Sequence, residues 1–216
     1  MRYLSKIWRH PRETISEIVE RDPGYGVYPL AVALWAGNGG FKIFEWFGPY
    51  FSSITPIKVL IIYLGFGVFC GPIILFVNAV STRWACSWLG GVGSLQKIKA
   101  TLAWSSVPCI PLLAVIIGIV LFGPSIWILT FELPAQEAIA AYGKWEAAYL
   151  LFHFFHFVTA LWSAVIAVAG ICETEEISIW RAIVAYALAW TMVFVLAFAV
   201  GFSLSWFFGI GPAGSL

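Results

Sequence analysis

Long stretches without a single charged side chain dominate the chain. They run between Asp22 and Lys42, Lys58 and Arg83, Lys99 and Glu132, Glu146 and Glu173, and from Arg181 to the end. A bilayer crossing needs roughly 20 apolar residues at about 1.5 Å rise each, so these gaps predict five crossing helices. Only the N-terminus departs from this pattern. From Met1 to Asp22, the apolar residues Leu4, Ile7, Trp8, Ile15, Ile18 and Val19 fall at helical spacing, and Arg2, Lys6, Arg9, Arg12, Glu13, Glu17 and Glu20 fill most of the other positions. Pro11 suits the first position of a helix, and Glu13 suits its first turn, where a carboxylate meets the positive end of the dipole. The expectation is an all-α integral membrane protein: a five-helix bundle over residues 25–216, preceded by a cytoplasmic amphipathic helix over residues 1–24. That helix either is interfacial, with Trp8 and the apolar stripe turned to lipid, or packs across the cytoplasmic ends of the bundle.

Glycines and prolines mark where the apolar runs break. Asp22-Pro23-Gly24-Tyr25-Gly26 ends the arm, and a first crossing from about Val27 to Phe47 is weakened by Asn38-Gly39-Gly40. A second, from Pro56 to about Trp88, is longer than a bilayer requires and carries Gly65, Gly67, Gly71 and Pro72 in mid-helix. The third, from about Gln96 to Leu121, holds Pro108 and Pro111 within its apolar body. Prolines there remove backbone donors and bend a helix, which membrane bundles tolerate when neighbouring groups satisfy the freed carbonyls. An outer segment from Ser125 to Trp145 follows, with a short helix opening at Pro134. The fourth crossing spans about Ala147 to Ile171, and the fifth runs from Ile179, capped by Ser178, to about Phe208.

Composition agrees with this assignment. Of 216 residues, 61% are hydrophobic and 11% charged, against about 25% charged in soluble domains. A net charge of +1 and the lack of a basic cluster with interleaved aromatics argue against nucleic-acid binding. Cys70, Cys86, Cys109 and Cys172 are scattered in or beside apolar runs, a pattern of buried thiols with neither a disulfide frame nor a metal knot. The N-terminal region lacks the continuous apolar core of a signal peptide. With the N-terminus inside, nine basic residues (Arg2, Lys6, Arg9, Arg12, Arg21, Arg83, Lys97, Lys99 and Arg181) face the cytoplasm and three (Lys42, Lys58 and Lys144) face outward. This is the positive-inside arrangement, N-terminus in and C-terminus out.

Few residues carry candidate chemistry. Asn78 is the one amide in its apolar run, and an amide at that depth prefers a partner on another helix. His153 and His156 lie three apart, on one helical face, with Glu146 seven residues before His153. They read as neutral histidines bonded within the bundle, as part of a proton or solute path, or as weak candidates for a metal site. No cofactor is expected, since no nucleophile elbow, P-loop, dinucleotide fingerprint or helical HExxH occurs. At the cytoplasmic rim stand Glu173, Glu175 and Glu176, with Arg181 just beyond them, and the acids are expected to meet cations such as Arg9, Arg12, Lys97 and Lys99.

The stretch that organises the rest runs from Arg83 to Pro111, RWACSWLGGVGSLQKIKATLAWSSVPCIP. Its Gly-Gly pair, basic helix start and Ala103-Trp104-Ser105-Ser106-Val107-Pro108 resemble the Ypt-interacting-protein (Yip) family in its short bacterial form. Trp8-Arg9-His10-Pro11-Arg12-Glu13 and Ile177-Ser178-Ile179-Trp180-Arg181-Ala182 resemble that family's other landmarks. The resemblance implies a five-helix membrane protein. Eukaryotic relatives are linked to Rab-type GTPases and vesicle traffic through a longer cytosolic arm; an arm of residues 1–24 argues against GTPase binding here. Three functions remain open: a non-enzymatic organiser or scaffold that associates with lipid, with itself or with other membrane proteins; a small transporter or channel with a polar cavity between the second, third and fourth crossings; and an intramembrane metal-binding protein.

Overall fold

The structure, a computed structural model, describes residues 2–35, 55–122 and 135–207, which form helices joined by turns and short irregular connections. A short helix α1 (Arg2–Lys6) precedes α2 (Pro11–Arg21), which starts on Pro11 and is steadied by Thr14 Oγ1 donating to the His10 carbonyl at 2.6 Å. A tight turn follows. Tyr25 N–H donates to Asp22 O, Gly24 N–H donates to Asp22 Oδ1, and Gly26 takes φ +68°, a left-handed conformation open to glycine at no steric cost. Helix α3 (Val27–Leu34) then begins the first crossing, and residues 36–54 lie outside the described residues.

Helix α4 (Pro56–Trp88) has 33 residues, about 50 Å at 1.5 Å per residue, well beyond the roughly 30 Å hydrocarbon thickness. Its C-terminus closes with Gly90 at φ +86°, while Gly91 N–H bonds Cys86 O and Gly90 N–H bonds Ser87 O. This is the Schellman pattern, in which a left-handed residue lets the chain fold back onto the last carbonyls. Ser94 Oγ accepts the Lys97 N–H to start α5 (Leu95–Ser105).

Pro108 breaks the third apolar run outright. A 3-10 turn, Val107–Cys109, separates α5 from α6 (Ile110–Phe122) where a single bent helix is expected. Ser105 Oγ donates to Leu102 O and Ser106 Oγ to Ala103 O, so hydroxyls engage carbonyls beside the break. Helix α7 (Ala135–Glu175) corrects the expectation of a separate short helix before the fourth crossing: it runs 41 residues without interruption. The alanine-rich sequence after Pro134 offers no breaker stronger than Gly143 and Gly170. Helix α8 (Ile179–Phe207) ends the described chain.

Among the described residues, four segments are long and apolar enough to cross a membrane: Leu60–Trp88, Leu95–Val115, Leu150–Glu175 and Ile179–Val200. The first of the five expected crossings falls largely outside the described residues. The chain is a multi-pass membrane protein, and its outer faces suit lipid: Phe69, Ile73, Phe157, Phe194 and Phe198 are all exposed. Helix α5 is the axis, packed against α2, α3, α4 and α7, while α8 covers α4 and α7. Small residues allow the close fit: Ala79 and Ala85 of α4, Ala167 of α7, and Ala182 and Ala185 of α8 are fully buried.

The arm's apolar stripe does not depend on an interfacial position. Ile7, Ile15, Ile18 and Val19 are buried in the same core as Ile98 of α5 and Ile166 and Ile171 of α7. Burial of such side chains stabilises by about 1.5–3 kcal/mol each, and it places α2 across the bundle end. Leu4 and Trp8 stay exposed.

Candidate functional site

Three separate stretches converge at one end of the bundle: the α1–α2 arm, the α4–α5 turn and the α7–α8 joint. Their polar contacts form a lock. Arg12 of α2 pairs with Glu173 of α7. Arg181 of α8 reaches the Leu89 carbonyl at 3.5 Å. Within the arm, Lys6 Nζ and Tyr3 Oη both donate to the Glu17 carboxylate.

Glu175 is the centre of the lock. Its side chain is wholly buried, its Oε2 accepts the Gly93 N–H at 2.9 Å and faces Arg83 Nη1 at 3.4 Å, and its backbone carbonyl accepts the Val92 N–H. Arg83 also bonds the Gly91 carbonyl at 3.4 Å, so one guanidinium ties both sides of the turn. Glycine is required here for close approach. A Cβ on Gly91 would collide with Glu175 Oε2, and one on Gly93 would collide with the Thr174 carbonyl and lie 2.8 Å from Glu175 Oε1. Glu175 Oε1 and Thr101 Oγ1 are buried without a hydrogen-bond partner. From sequence, Glu175 stands at the rim beside Glu173 and Glu176 as one more solvent-facing acid; the structure buries it completely. Its signal was the four-residue stripe Ala167, Ile171, Glu175, which places it on the buried face of α7, whereas Glu176 falls off that stripe and is exposed.

The other side of this end is aromatic. Trp104 of α5 stacks on Tyr25 with centroids 5.9 Å apart and planes 12° from parallel, and its Nε1–H donates to the Tyr25 carbonyl at 2.9 Å. Tyr3 sits edge-on to both. Two cavities open beside them. One of about 500 Å³ is lined by residues from Asp22 to Ala31, by Pro72 and Leu75 of α4, and by Gln96 and Lys99 of α5. The other, about 310 Å³, lies among Tyr3, Ile18, Arg21, Asp22 and Tyr25.

The remaining sequence candidates are dispersed. Arg9 and Lys97 are exposed without joining the lock. Asn78 donates to the Ile74 carbonyl of its own helix at 2.8 Å, where an interhelical partner is expected. A local carbonyl four residues back satisfies the amide more simply than a neighbouring helix. His153 and His156 are half-buried, with their rings against Phe152, and neither cavity is lined by them or by Asn78. The Glu146 side chain lies outside the described residues. Among the described residues, no three His, Cys, Asp or Glu side chains gather as a metal site. The four cysteines form no disulfide.

Residues 5–201 match the model of the Yip1 domain. The chain belongs to the Yip1 domain family. No curated protein and no solved structure matches it. In this Yip1 chain, each stretch that resembles a family landmark, residues 8–13, 83–111 and 177–182, contributes one arginine to the locked end: Arg12, Arg83 and Arg181.

Proposed function

We propose that this Yip1 protein is a non-enzymatic membrane organiser whose working surface is the locked end, and that this end faces the cytoplasm of a bacterial cell. One observation carries the reading. The described ion pairs between separate stretches, Arg12–Glu173 and Arg83–Glu175, and the Arg181–Leu89 contact lie where α2, the α4–α5 turn and the α7–α8 joint meet, and Arg9, Glu13, Glu20, Arg21, Lys97 and Glu176 are exposed there. A rigid, mixed-charge platform on a greasy stem suits docking of other membrane proteins or further copies of the chain. In the sequence, nine basic residues fall in the segments assigned to this side and three in those assigned to the other, which supports the N-in orientation.

Transport and metal binding have weaker support, because Asn78 is bonded within its own helix and both histidines pack on Phe152. The test is site-specific photocrosslinking in intact membranes from Glu13, Glu20 and Lys97, compared with Phe194 on the lipid-facing side of α8. Discrete protein adducts from the three polar positions, absent from Phe194, are expected. A chain that stays monomeric in lipid and crosslinks to lipid alone at every position refutes the reading.

A further inference from the structure

The cavity of about 500 Å³ between α3, α4 and α5 has an order of chemistry that follows membrane depth. Its shallow end holds Asp22, just before the first apolar run, with Gln96 and Lys99 in the first turns of α5. Its deep end holds Val27, Ala31, Pro72 and Leu75. Depth is fixed by the chain itself: α3 descends from residue 27 to residue 31, and at that level Gly71 lies so close that a Cβ there would sit 2.5 Å from the Ala31 carbonyl. Polar at the border and apolar below is the order of a glycerophospholipid. The volume lies within the roughly 300–1,000 Å³ of small-molecule sites, enough for a headgroup and the first part of one acyl chain, with the rest remaining in the bilayer.

Two opposite charges face this space without neutralising one another. The Lys99 ammonium makes no ion pair among the described residues, and Asp22 uses Oδ1 for the Gly24 N–H, leaving Oδ2 available. Tyr28, also on the wall, is engaged through its hydroxyl with the Val68 carbonyl at 3.1 Å. The recognising groups are therefore one cation, one carboxylate and one amide. We propose that this cavity is a specific site for a phospholipid with a primary-ammonium headgroup, of the phosphatidylethanolamine type. Its phosphate meets Lys99 and Gln96, and its ammonium donates to Asp22. A quaternary headgroup carries the same charge but has no N–H to donate, and a glycerol headgroup offers Asp22 only neutral hydroxyl donors, weaker than an ammonium paired with a carboxylate. The site goes beyond the docking surface proposed above, and its test reads lipid retention alone, so either proposal stands if the other fails.

The experiment is native mass spectrometry of the full chain released from nanodiscs that contain equal parts of phosphatidylethanolamine, phosphatidylcholine and phosphatidylglycerol with matched acyl chains. The first lipid is expected to be retained roughly tenfold over each of the others, the equilibrium effect of one charge-assisted hydrogen bond. Asp22→Asn keeps the acceptor for Gly24 and should bring phosphatidylethanolamine down to the level of phosphatidylcholine. Lys99→Gln should lower retention of all three, whereas Lys58→Gln, at the far end of α4, should change none. Equal retention of the three lipids by the wild-type chain overturns the proposal. So does a preference for phosphatidylglycerol that Asp22→Asn leaves intact, which would mark a plain anion site. The wild-type ranking decides the matter even if a variant folds poorly.

Discussion

Replacing Gly93 with alanine tests whether the α4–α5 turn is built around the Glu175 carboxylate. The added Cβ would meet the Thr174 carbonyl inside contact distance and lie 2.8 Å from Glu175 Oε1 and 2.9 Å from its Cδ. Two of these atoms belong to a carboxylate buried on all sides, and the third is backbone, so none can swing away as an exposed side chain would. Overpacking of this sort costs about 1–3 kcal/mol. The turn must also shift, which breaks the 2.9 Å bond from Gly93 N–H to Glu175; a hydrogen bond to a charged group contributes about 1.5–3 kcal/mol. Against this stands a gain of about 0.4–1 kcal/mol from restricting the unfolded chain. The net expectation is a loss of about 2–5 kcal/mol, and at about 2–4 °C per kcal/mol a fall in Tm of roughly 4–20 °C.

Gly65 provides the matched control. It lies within α4, and a Cβ there would meet nothing within 4 Å. Gly65→Ala should therefore stabilise by about 0.5–1 kcal/mol through helix propensity alone. Thermal unfolding in nanodiscs, followed by tryptophan fluorescence, measures both variants. A double-mutant cycle sharpens the cause. Gly91→Ala collides with Glu175 Oε2, so its penalty should shrink by at least about 0.5 kcal/mol in a Glu175→Ala background. If Gly93→Ala melts with the wild type, or if Gly65→Ala is as damaging, the carboxylate-centred turn is not what holds this end together.

Three further outcomes are expected. Gly71→Ala would set a Cβ 2.5 Å from the Ala31 carbonyl and 3.0 Å from Val32 Cα; backbone cannot yield, so α3 and α4 should separate at a cost of about 1–3 kcal/mol, read as lowered Tm. Trp104→Phe keeps a ring against Tyr25 but loses the Nε1–H bond to its carbonyl, and should cost about 0.5–1.5 kcal/mol in the same assay. Asn78→Ala removes a bond made within α4 and should change stability by less than about 0.5 kcal/mol; a loss well above 1 kcal/mol would mean that the amide holds another helix.

The extent of the helices was legible because it depends on properties that lie along the chain. Charge-free gaps located α4 and α8, and Pro56, the glycine turn after Trp88 and Ser178 before Ile179 marked their ends. Pro11 and the spacing of Ile15, Ile18 and Val19 gave α2. The misreadings came where one local signal had to be weighed against another. Pro108 alone signals a bend, but with Pro111 three residues on and hydroxyls at Ser105 and Ser106 engaging carbonyls, a full break is the easier solution. Pro134 signals the start of a separate short helix, but nothing after it stops the helix before Glu175.

The candidate site was harder, because it depends on which residues of distant stretches meet. Three acids crowd the end of α7, and sequence alone gives each the same charge and nearly the same exposure to water. Helical phase separates them: Glu175 continues the stripe of Ala167 and Ile171 into the core, Glu173 turns to Arg12, and Glu176 leaves the helix in a left-handed conformation at φ 57°. A buried carboxylate needs donors close enough to replace water, and in this turn a Cβ at Gly91 or Gly93 would collide with the carboxylate that the Gly93 N–H serves. The Gly91–Gly93 pair and Glu175 are thus two halves of one requirement, separated by 82 positions in sequence. Gly91 and Gly93 let the turn lie directly on the Glu175 carboxylate, which makes the α4–α5 connection a fixed strut between α4, α5 and α7. A partner that docks on this end meets a surface whose helices are already held in register, and its binding need not supply the ordering.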